Sequence, residues 1–355
     1  MTHSPIDRAT RVGLIGYGLG GATFHAPFIH ATPGLELSAV MTGDETRHRA
    51  VAARYPSARV VPDLAALLAL APALDIVAIS SPNASHYPLA QAALDAGMHV
   101  VVDKPFAGTA AQARELGVMA ARAGRLAMPF QNRRWDGDFL TLQSLLAGPS
   151  LGNVYRFESR FDRWRAEPKP GWCRTDAVGA LEDILYDIAT HLVDQALVLF
   201  GPVRQVYAEL TRRHPAVVSA DDAFLALTHA SGVSSHLYMS ARAGQPGPRM
   251  SVFASQAAYV KHGLDVQEDQ LRAGMTPADP SYGREPDERW GTLVGPSVNE
   301  RVPTSRGAYP EFYRGVARAV REAAPPPVPL ADVVAGLEVI EAAFASHEHG
   351  EVVRL

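Results

Sequence analysis

The chain contains 355 residues, of which 47% are hydrophobic and 20% are charged, and its formal net charge is −4. This composition is ordinary for a globular protein with a sizeable core, and the scattered charges do not indicate a nucleic-acid or anionic-membrane partner. Cys173 is the only cysteine, which excludes an intramolecular disulfide and a cysteine-based structural zinc cluster.

The length predicts two domains. Residues 1–10 are polar and lack the apolar core of a signal peptide, and no apolar run is long enough to span a membrane. These features predict a cytoplasmic protein without a membrane partner.

The segment at 11–21, RVGLIGYGLGG, carries the first motif. Its apolar start is typical of a buried parallel strand, and it leads into a short helix predicted at 22–29. Gly16, Gly18 and Gly21 stand between them in the spacing G-x-G-x-x-G. In a dinucleotide-binding loop, such glycines permit a tight turn, the approach of a pyrophosphate and close packing of the helix, whose N-terminus attracts phosphate. The spacing alone also fits a glycine-rich turn without a ligand, but its place between a strand and a helix favours the binding loop.

After this loop, apolar runs alternate with helical segments as far as residue 128. The predicted strands lie at 37–41, 60–61, 75–80, 99–102 and 125–128. The predicted helices lie at 45–55, 64–70, 87–96 and 110–123. This alternation predicts a parallel sheet with helices on both faces, whose strands end at one common edge, where ligands bind.

The pattern changes beyond residue 129, where strands follow one another without intervening helices. They are predicted at 154–161, 203–210, 223–228, 233–240, 251–255 and 257–261. Helices are predicted at 183–200, 311–322 and 331–346, and the Pro- and Gly-rich segments 241–250 and 272–310 are predicted as loops. We therefore predict an α/β protein. Its parts are an N-terminal Rossmann domain with a doubly wound parallel sheet at 1–128 and a C-terminal α+β domain with a large, mostly antiparallel sheet at 129–355.

Polar side chains follow two strands of the predicted parallel sheet. The sequence SSPNASH at 80–86 follows one, and Asp103-Lys104-Pro105 follows another. A lysine held by a proline directly after an apolar strand suits a fixed contact with a ligand, although an ordinary surface lysine at a strand end fits equally well.

The helix predicted at 183–200 carries a third polar group. Asp187, His191 and Asp194 stand at i, i+4 and i+7, on one face of an otherwise apolar helix. This stripe is either an exposed face with a local Asp–His pair or the polar lining of a cleft. In a cleft, His191 would carry a proton near neutral pH, and Asp187 would hydrogen-bond its ring.

These motifs together resemble the two-domain sugar and polyol dehydrogenases of the glucose–fructose oxidoreductase / inositol dehydrogenase (Gfo/Idh/MocA) family. The matching pieces are GLIGYGLGG with FHAPFI, SPNASHYPLA, VVDKPFAGT, FQNRRWDGDFLT and LYDIATHLVDQAL with LFG. KHGLDVQEDQLRAG and GTLVGPSVN resemble the branch that includes NADP-dependent scyllo-inositol dehydrogenases. The resemblance implies an NAD(P)-dependent oxidoreductase that transfers a hydride between nicotinamide and a secondary alcohol or ketone of a sugar, inositol or related polyol.

The resemblance also implies the site residues. Lys104 matches the lysine of the family's E-K-P motif, here D-K-P, while Asp187 and His191 match its D-x-x-x-H motif; these three are the implied catalytic residues. The implied substrate contacts are Lys104, Arg133, His191 and Asp194. The implied cofactor contacts are Gly16, Tyr17, Gly18, Leu19, Gly21, Thr42, Gly43, Arg47, Ser81, Pro82, Asn83, His86 and Lys104.

Three departures from the family pattern concern the substrate pocket. Glu182 and Asp183 stand where the helix normally begins with glycines, and Ala189 replaces a glycine of the D-L-G-x-H form. The loop at 165–174 also differs from the expected arginine–tryptophan pattern.

The implied reaction is the reversible oxidation of a secondary alcohol. His191 accepts the hydroxyl proton while a hydride passes to the nicotinamide ring. Lys104 donates a hydrogen bond to the same oxygen, where its charge favours the alkoxide. Asp187 orients His191 and stabilises its protonated form.

The choice of cofactor depends on the end of the strand at 37–41. Asp44 lies where an acidic residue binds the ribose 2′-hydroxyl in NAD enzymes. Thr42 and Gly43 form a small-residue turn, with Arg47 and Arg49 behind it, and relatives with a similar turn use NADP. We therefore expect NADP, with Arg47 as the partner of its 2′-phosphate and NAD as the alternative.

Two other functions fit parts of the pattern. A non-catalytic, nucleotide-sensing binding protein of the same fold is one, although we expect such a protein to lack the lysine or the histidine. A metal-assisted enzyme using His191, Asp187 and Asp194 is the other, but the nearby lysine would repel a cation, so we expect no metal. We expect a small-molecule sugar or polyol substrate. We also expect a homodimer or homotetramer, because the second face of the antiparallel sheet needs a cover, which relatives provide with another subunit.

Overall fold

The computed structural model describes residues 8–168 and 181–355. In this part of the chain, the first sheet has six parallel strands in the order β3-β2-β1-β4-β5-β6. The strands are β1 (Thr10–Ile15), β2 (Leu35–Met41), β3 (Arg59–Val61), β4 (Ile76–Ile79), β5 (His99–Val102) and β6 (Ala127–Pro129). The connecting helices are α1 (Ala26–Ala31), α2 (Glu45–Arg54), α3 (Leu64–Leu68), α4 (His86–Asp95) and α5 (Ala110–Arg122). The predicted parallel sheet is thus confirmed.

Burial explains why these segments form strands. All four residues of β4 are fully buried, as are Val100, Val101 and Val102 of β5, as expected for strands covered by helices on both faces. Three of these helices begin at side-chain caps: Asp44, Asp63 and Thr109 accept hydrogen bonds from main-chain N–H groups in the first turns of α2, α3 and α5.

The second sheet of the described residues has nine strands in the order β14-β13-β12-β11-β7-β10-β9-β8-β15. They are β7 (Val154–Asp162), β8 (Val203–Thr211), β9 (Asp222–His229), β10 (Ser234–Ser240), β11 (Met250–Ala254), β12 (Ala258–Lys261), β13 (Gly291–Gly295), β14 (Val298–Val302) and β15 (Val353–Arg354). Adjacent strands of this sheet pair antiparallel, except for β7 and β10, which are parallel. The mostly antiparallel second sheet is therefore confirmed.

The remaining α-helices are α6 (Gly137–Ala147), α7 (Thr190–Phe200), α8 (Gln267–Arg272), α9 (Pro310–Glu322) and α10 (Leu330–His349). None of the helices in the described ranges is long and apolar enough to cross a membrane.

Two predictions about elements are corrected, and one short strand was not predicted. The segment 272–310 is not one loop, because it contains the β13–β14 hairpin. The three central residues of β14 are all exposed, so this edge strand lacks the apolar alternation that reveals a strand in sequence. The short strand β15 was not predicted, and the helix expected at 183–200 begins with a π-helical turn, Leu185–Ala189. Cys173 and most of the 165–174 loop lie outside the described residues.

Contacts between residues divide the described chain into two units, each discontinuous in sequence. The first comprises the described residues up to Asn132, together with Glu268–Tyr282 and Tyr309–Val333. The second comprises the described residues of Arg133–Gln267, with Gly283–Ala308 and Val334–Leu355. The first unit holds the parallel sheet and the second holds the nine-stranded sheet.

Candidate active site

The turn after β1 requires glycine at two positions for reasons of packing. Gly16 has φ +90°, and a Cβ atom there would lie 2.2 Å from the carbonyl oxygen of Ser80. A Cβ atom on Gly21 would lie 2.1 Å from the carbonyl oxygen of Gly16. Real Cβ atoms do not approach backbone this closely, so β1, the turn and the following π-helical turn (Gly21–His25) can pack together only without these side chains.

Gly18 differs, because the protein itself leaves space there. Among the described residues, and apart from its neighbours in the chain, the atom that comes within 4 Å of its Cβ position is Nη1 of Arg47, at 4.0 Å. The open backbone at Gly18, which begins the turn that Ala22 closes by donating to its carbonyl oxygen at 2.9 Å, fits a pyrophosphate. The residues present thus suit a bound dinucleotide. Of the two residues beside Gly18, Leu19 is 51% exposed and Tyr17 is buried.

The turn after β2 places Asp44 and Arg47 side by side. The Asp44 Oδ1 atom accepts hydrogen bonds from the main-chain N–H groups of Thr46 and Arg47, at 2.8 and 3.0 Å. The bond from Arg47 is the main cause of a lowered pKa at Asp44, so this carboxylate is charged and caps α2. The Nε atom of Arg47 lies 3.9 Å from Asp44 Oδ2, and both side chains are about half exposed.

The turns after β4 and β5 are joined by His86, which is 1% exposed. Its Nδ1 atom lies 2.8 Å from the carbonyl oxygen of Pro105, and its Nε2 atom lies 2.9 Å from that of Ser81. The side chain of Ser81 contacts Ser85 Oγ at 2.6 Å. Because main-chain carbonyls lie against both ring nitrogens, the ring of His86 links these two turns.

Lys104 lies two residues after the end of β5, in the Asp103-Lys104-Pro105 turn that the sequence predicts, and it is half-buried. Its main-chain N–H donates to Asp103 Oδ1 at 2.8 Å. The other oxygen of Asp103 accepts from Ser80 Oγ at 3.1 Å and lies 3.4 Å from His25 Nε2. Neither Asp103 nor His25 was predicted as a site residue, although the D-K-P and FHAPFI motifs contain them.

In the second unit, the π-helical turn Leu185–Ala189 holds Asp187, and α7 holds His191 and Asp194. The regular i, i+4 spacing assumed for Asp187 and His191 does not apply across this wider turn. Asp187 is half-buried and lines a surface opening with Arg163, Arg165 and Ser240. His191 and Asp194 are 6% and 3% exposed, so the stripe is largely buried rather than a solvated face.

Asp183 begins this helical segment. Its Oδ1 atom accepts from the main-chain N–H groups of Leu185 and Tyr186, at 2.8 and 3.1 Å. Burial raises the pKa of Asp183 to about 6, against the lowering effect of these two bonds, and the charge of Asp187 raises it further. The acidic residue that replaces the family's glycines is thus a helix cap.

Asp194 has a partner that sequence reasoning missed. Arg134 binds it through two parallel hydrogen bonds, Nε to Oδ2 at 2.9 Å and Nη2 to Oδ1 at 2.7 Å. The predicted Arg133 instead lies 3.3 Å from Asp136 and 4.8 Å from the centroid of the Phe161 ring. The tandem arginines of NRRW were the only available signal, and they do not reveal which of the two faces α7.

The predicted residues are therefore brought together in two groups. The first unit holds the glycine loop, the turns after β2, β4 and β5, and Lys104. The second unit holds Arg133, Asp187, His191 and Asp194. Across residues 8–168 and 181–355, no group of three or more His, Cys, Asp or Glu side chains is arranged to hold a metal ion.

A parallel sheet in the order 3-2-1-4-5-6, with a glycine turn after its first strand, defines a dinucleotide-binding protein of the Rossmann type. Comparison with known families agrees with this class. Residues 10–131 match the oxidoreductase family's NAD-binding Rossmann fold, and residues 143–355 match its C-terminal alpha/beta domain. The chain belongs to the GFO/IDH/MocA oxidoreductase family.

Individual relatives match over nearly the whole chain. The uncharacterized oxidoreductase YdgJ of Escherichia coli is 41% identical, over 96% of each chain. The scyllo-inositol 2-dehydrogenase (NADP(+)) IolW of Bacillus subtilis is 32% identical, over 97% of this chain and 96% of its own. The solved structure of yvaA from Bacillus subtilis has a TM-score of 0.92 and 32% identity, over 99% of each chain.

The packing at Gly21 predicts a stability difference between two helical glycines. Gly21→Ala should lower the free energy of unfolding by about 1–3 kcal/mol, because its methyl group would overlap the Gly16 carbonyl. Gly336→Ala is the matched control: it lies in α10, and a Cβ atom there meets nothing within 4 Å. It should raise stability by about 0.5–1 kcal/mol. Urea unfolding measures both, and equal effects would contradict the packing argument.

The raised pKa of Asp183 predicts a pH-dependent stability. A carboxyl group whose folded pKa is raised stabilises the fold only while protonated, so stability is lost as the pH rises from about 4 to about 6. Asp183→Asn keeps the cap without titrating. It should exceed the wild type by about 1–3 kcal/mol at pH 7 and match it near pH 4. Urea unfolding across this range, with the exposed Glu300→Gln as control, measures the effect; parallel curves would count against it.

Proposed function

We propose that this protein is an NAD(P)-dependent oxidoreductase that interconverts a secondary alcohol and a ketone of a sugar, inositol or related polyol. One observation carries the proposal: a chain of this oxidoreductase family has both a lysine in the turn after β5 and a histidine at the start of α7. A relative named as a scyllo-inositol 2-dehydrogenase, 32% identical over nearly the full length, supports the choice of alcohol.

The glycine turn would hold the dinucleotide. The open backbone at Gly18 would accept the pyrophosphate, and the turns after β4 and β5, which His86 holds together, would face the nicotinamide half. When bound, the nicotinamide supplies the hydride chemistry. The protein's own contributions are to position the substrate, to move a proton and to stabilise charge.

His191 is the proposed general base. It would take the proton from the substrate hydroxyl during oxidation and return it during reduction. Its burial to 6% exposure limits competition from bulk water. Asp187, in the preceding turn, would orient the ring and stabilise its protonated form.

Lys104 is the proposed partner of the reacting oxygen. Its ammonium group would donate a hydrogen bond to that oxygen, and its charge would favour the developing alkoxide. Asp194 would contact other hydroxyl groups of the substrate together with Arg134.

The catalytic roles predict a large loss of turnover. His191→Ala and Lys104→Met should each lower kcat by roughly 10²–10⁴-fold. The assay follows the absorbance of reduced nicotinamide with a panel of inositols, aldoses and keto-sugars and both cofactors. His349→Ala, which alters an exposed histidine at the end of α10, should retain full activity.

Two outcomes of this assay oppose the proposal. Unchanged turnover in His191→Ala would contradict the role of His191 as the general base. Tight dinucleotide binding without turnover of any member of the panel would favour the non-catalytic, nucleotide-sensing alternative.

NADP is the proposed cofactor, with Arg47 as the partner of its 2′-phosphate. The Arg47 guanidinium lies beside the glycine loop, 4.0 Å from the Cβ position of Gly18. Asp44 already accepts two main-chain hydrogen bonds as the cap of α2, which reduces its capacity for a ribose hydroxyl. NAD is the alternative.

Arg47→Ala should therefore raise the Kd for NADP by about 10–100-fold, as expected for the loss of a charge-assisted hydrogen bond. The Kd for NAD should change by less than about threefold, because NAD lacks the phosphate. Calorimetric titration measures both constants, and Arg122→Ala, an exposed arginine of α5, is the control. Tighter binding of NAD than of NADP to the wild type would contradict the assignment.

A further inference from the structure

A series of polar groups in the first unit leads from the buried residues Tyr313 and His25 to Asp103, the neighbour of Lys104. It runs from the Tyr313 hydroxyl to His25 Nδ1, at 2.6 Å, and from His25 Nε2 to Asp103 Oδ2, at 3.4 Å. His25 is 0% exposed and Tyr313 is 1% exposed. The ring of Phe130 packs on the imidazole at a centroid distance of 4.3 Å. This packing restricts rotation of the His25 ring.

The charge of Asp103 sets the direction of its hydrogen bond with His25. Burial raises the pKa of Asp103, but the hydrogen bond and charge of His25, together with Lys104 and His86, lower it more, so its pKa lies well below the ordinary range. Burial raises the pKa of Tyr313 well above its ordinary value. Asp103 is therefore an ionised acceptor for the Nε2–H group of His25. Tyr313 keeps its proton, and its hydroxyl shares one hydrogen bond with Nδ1 whose direction depends on the protonation of the ring.

The carboxylate of Asp103 contacts three segments that follow strands of the parallel sheet, namely the turns after β5 and β4 and the glycine loop after β1. Oδ1 accepts from the main-chain N–H of Lys104 at 2.8 Å, and Oδ2 accepts from Ser80 Oγ, after β4, at 3.1 Å. The glycine loop packs against the same group, because a Cβ atom on Gly20 would lie 2.4 Å from Ser80 Oγ and 3.1 Å from Asp103 Oδ2. Any rotation of this carboxylate would therefore change the backbone that presents Lys104.

We propose that His25 and Tyr313 are positioning residues that hold Asp103 in the orientation that fixes the main chain at Lys104. The consequence for turnover rests on the proposed function, since it requires Lys104 to meet the reacting oxygen. A partly buried carboxylate such as Asp103 that loses its partner takes up a proton or turns toward water. Either change would release the Lys104 N–H and displace a catalytic group, and a displacement of about 1 Å can cost about 10²-fold in rate.

The first test replaces His25 in a way that removes both hydrogen bonds but keeps an aromatic ring. His25→Phe should lower kcat by about 10–100-fold, with the KM for substrate and the Kd for dinucleotide within about threefold of wild type. In the cofactor-free protein, amide hydrogen exchange at Lys104 should become at least about tenfold faster, because its acceptor is no longer held.

The chain offers a matched control in His229. It is also 1% exposed, its Nδ1 lies 2.8 Å from the carbonyl oxygen of Gly201, its Nε2 lies 2.8 Å from Ser235 Oγ, and it packs against Phe200. His229→Phe should destabilise the protein to a similar degree while leaving kcat and the exchange rate at Lys104 unchanged. An equal loss of kcat in both variants would show a general effect of destabilisation and would overturn the proposal.

Two milder variants test the hydrogen bonds of Tyr313 and His25 without a large change in side-chain volume. Tyr313→Phe removes only the far hydrogen bond and should lower kcat by about 3–10-fold. His25→Gln supplies an N–H donor toward Asp103 and should recover most of the activity lost in His25→Phe. Rates and Lys104 amide exchange within twofold of wild type in both His25→Phe and Tyr313→Phe would overturn the assignment.

The exchange measurement separates this proposal from the proposed function. If Lys104→Met does not change turnover, the role of Lys104 is wrong, and the exchange rate of its amide still decides whether His25 holds the backbone. If Lys104→Met abolishes turnover but His25→Phe changes neither turnover nor amide exchange at Lys104, only the positioning role of His25 is wrong.

Discussion

The close approach of the turns that follow β1 and β4 is the constraint on which the geometry of the first unit's site residues depends. The Ser80 carbonyl occupies the space that a side chain at Gly16 would need, and the Gly16 carbonyl occupies the space needed at Gly21. These contacts bring the ends of two central strands and a helical turn together at one edge. Because the protein already fills the space at Gly16 and Gly21 but leaves it open at Gly18, a ligand can reach the backbone at that one motif position.

Two carboxylates among or beside the candidate site residues share a second property, which is that defined partners hold their charge. In the first unit, Asp103 accepts from a serine hydroxyl and a main-chain N–H and faces a histidine. In the second unit, Arg134 binds Asp194 with both of its parallel donors. Such pairing offsets the cost of removing a carboxylate from water, and it holds the side chain in one orientation. The same groups that make burial tolerable therefore also set the geometry of the site.

Most of the fold could be predicted because its elements have strong local signals. The central strands β4 and β5 are nearly continuous apolar runs, and β7 alternates between half-buried and buried positions from Arg156 onward. The β13–β14 hairpin could not be predicted in the same way. Its outer strand exposes its central residues, so hydrogen bonding to β13, and not a pattern of side chains, makes it a strand. The π-helical turn before α7 was equally invisible, because its composition is that of an ordinary apolar helix.

The sequence by itself determined the order of strands and helices, the glycine turn and the lysine that follows β5, since each depends on residues close together in the chain. Only the tertiary structure decided which groups meet. Arg134 rather than Arg133 binds Asp194, 60 residues away, and Tyr313 reaches His25 across 288 residues. Such contacts depend on how distant segments pack, and a single sequence has no periodicity or spacing that records them. Local patterns therefore identified the candidate chemistry, whereas the folded chain identified the side chains that hold it in place.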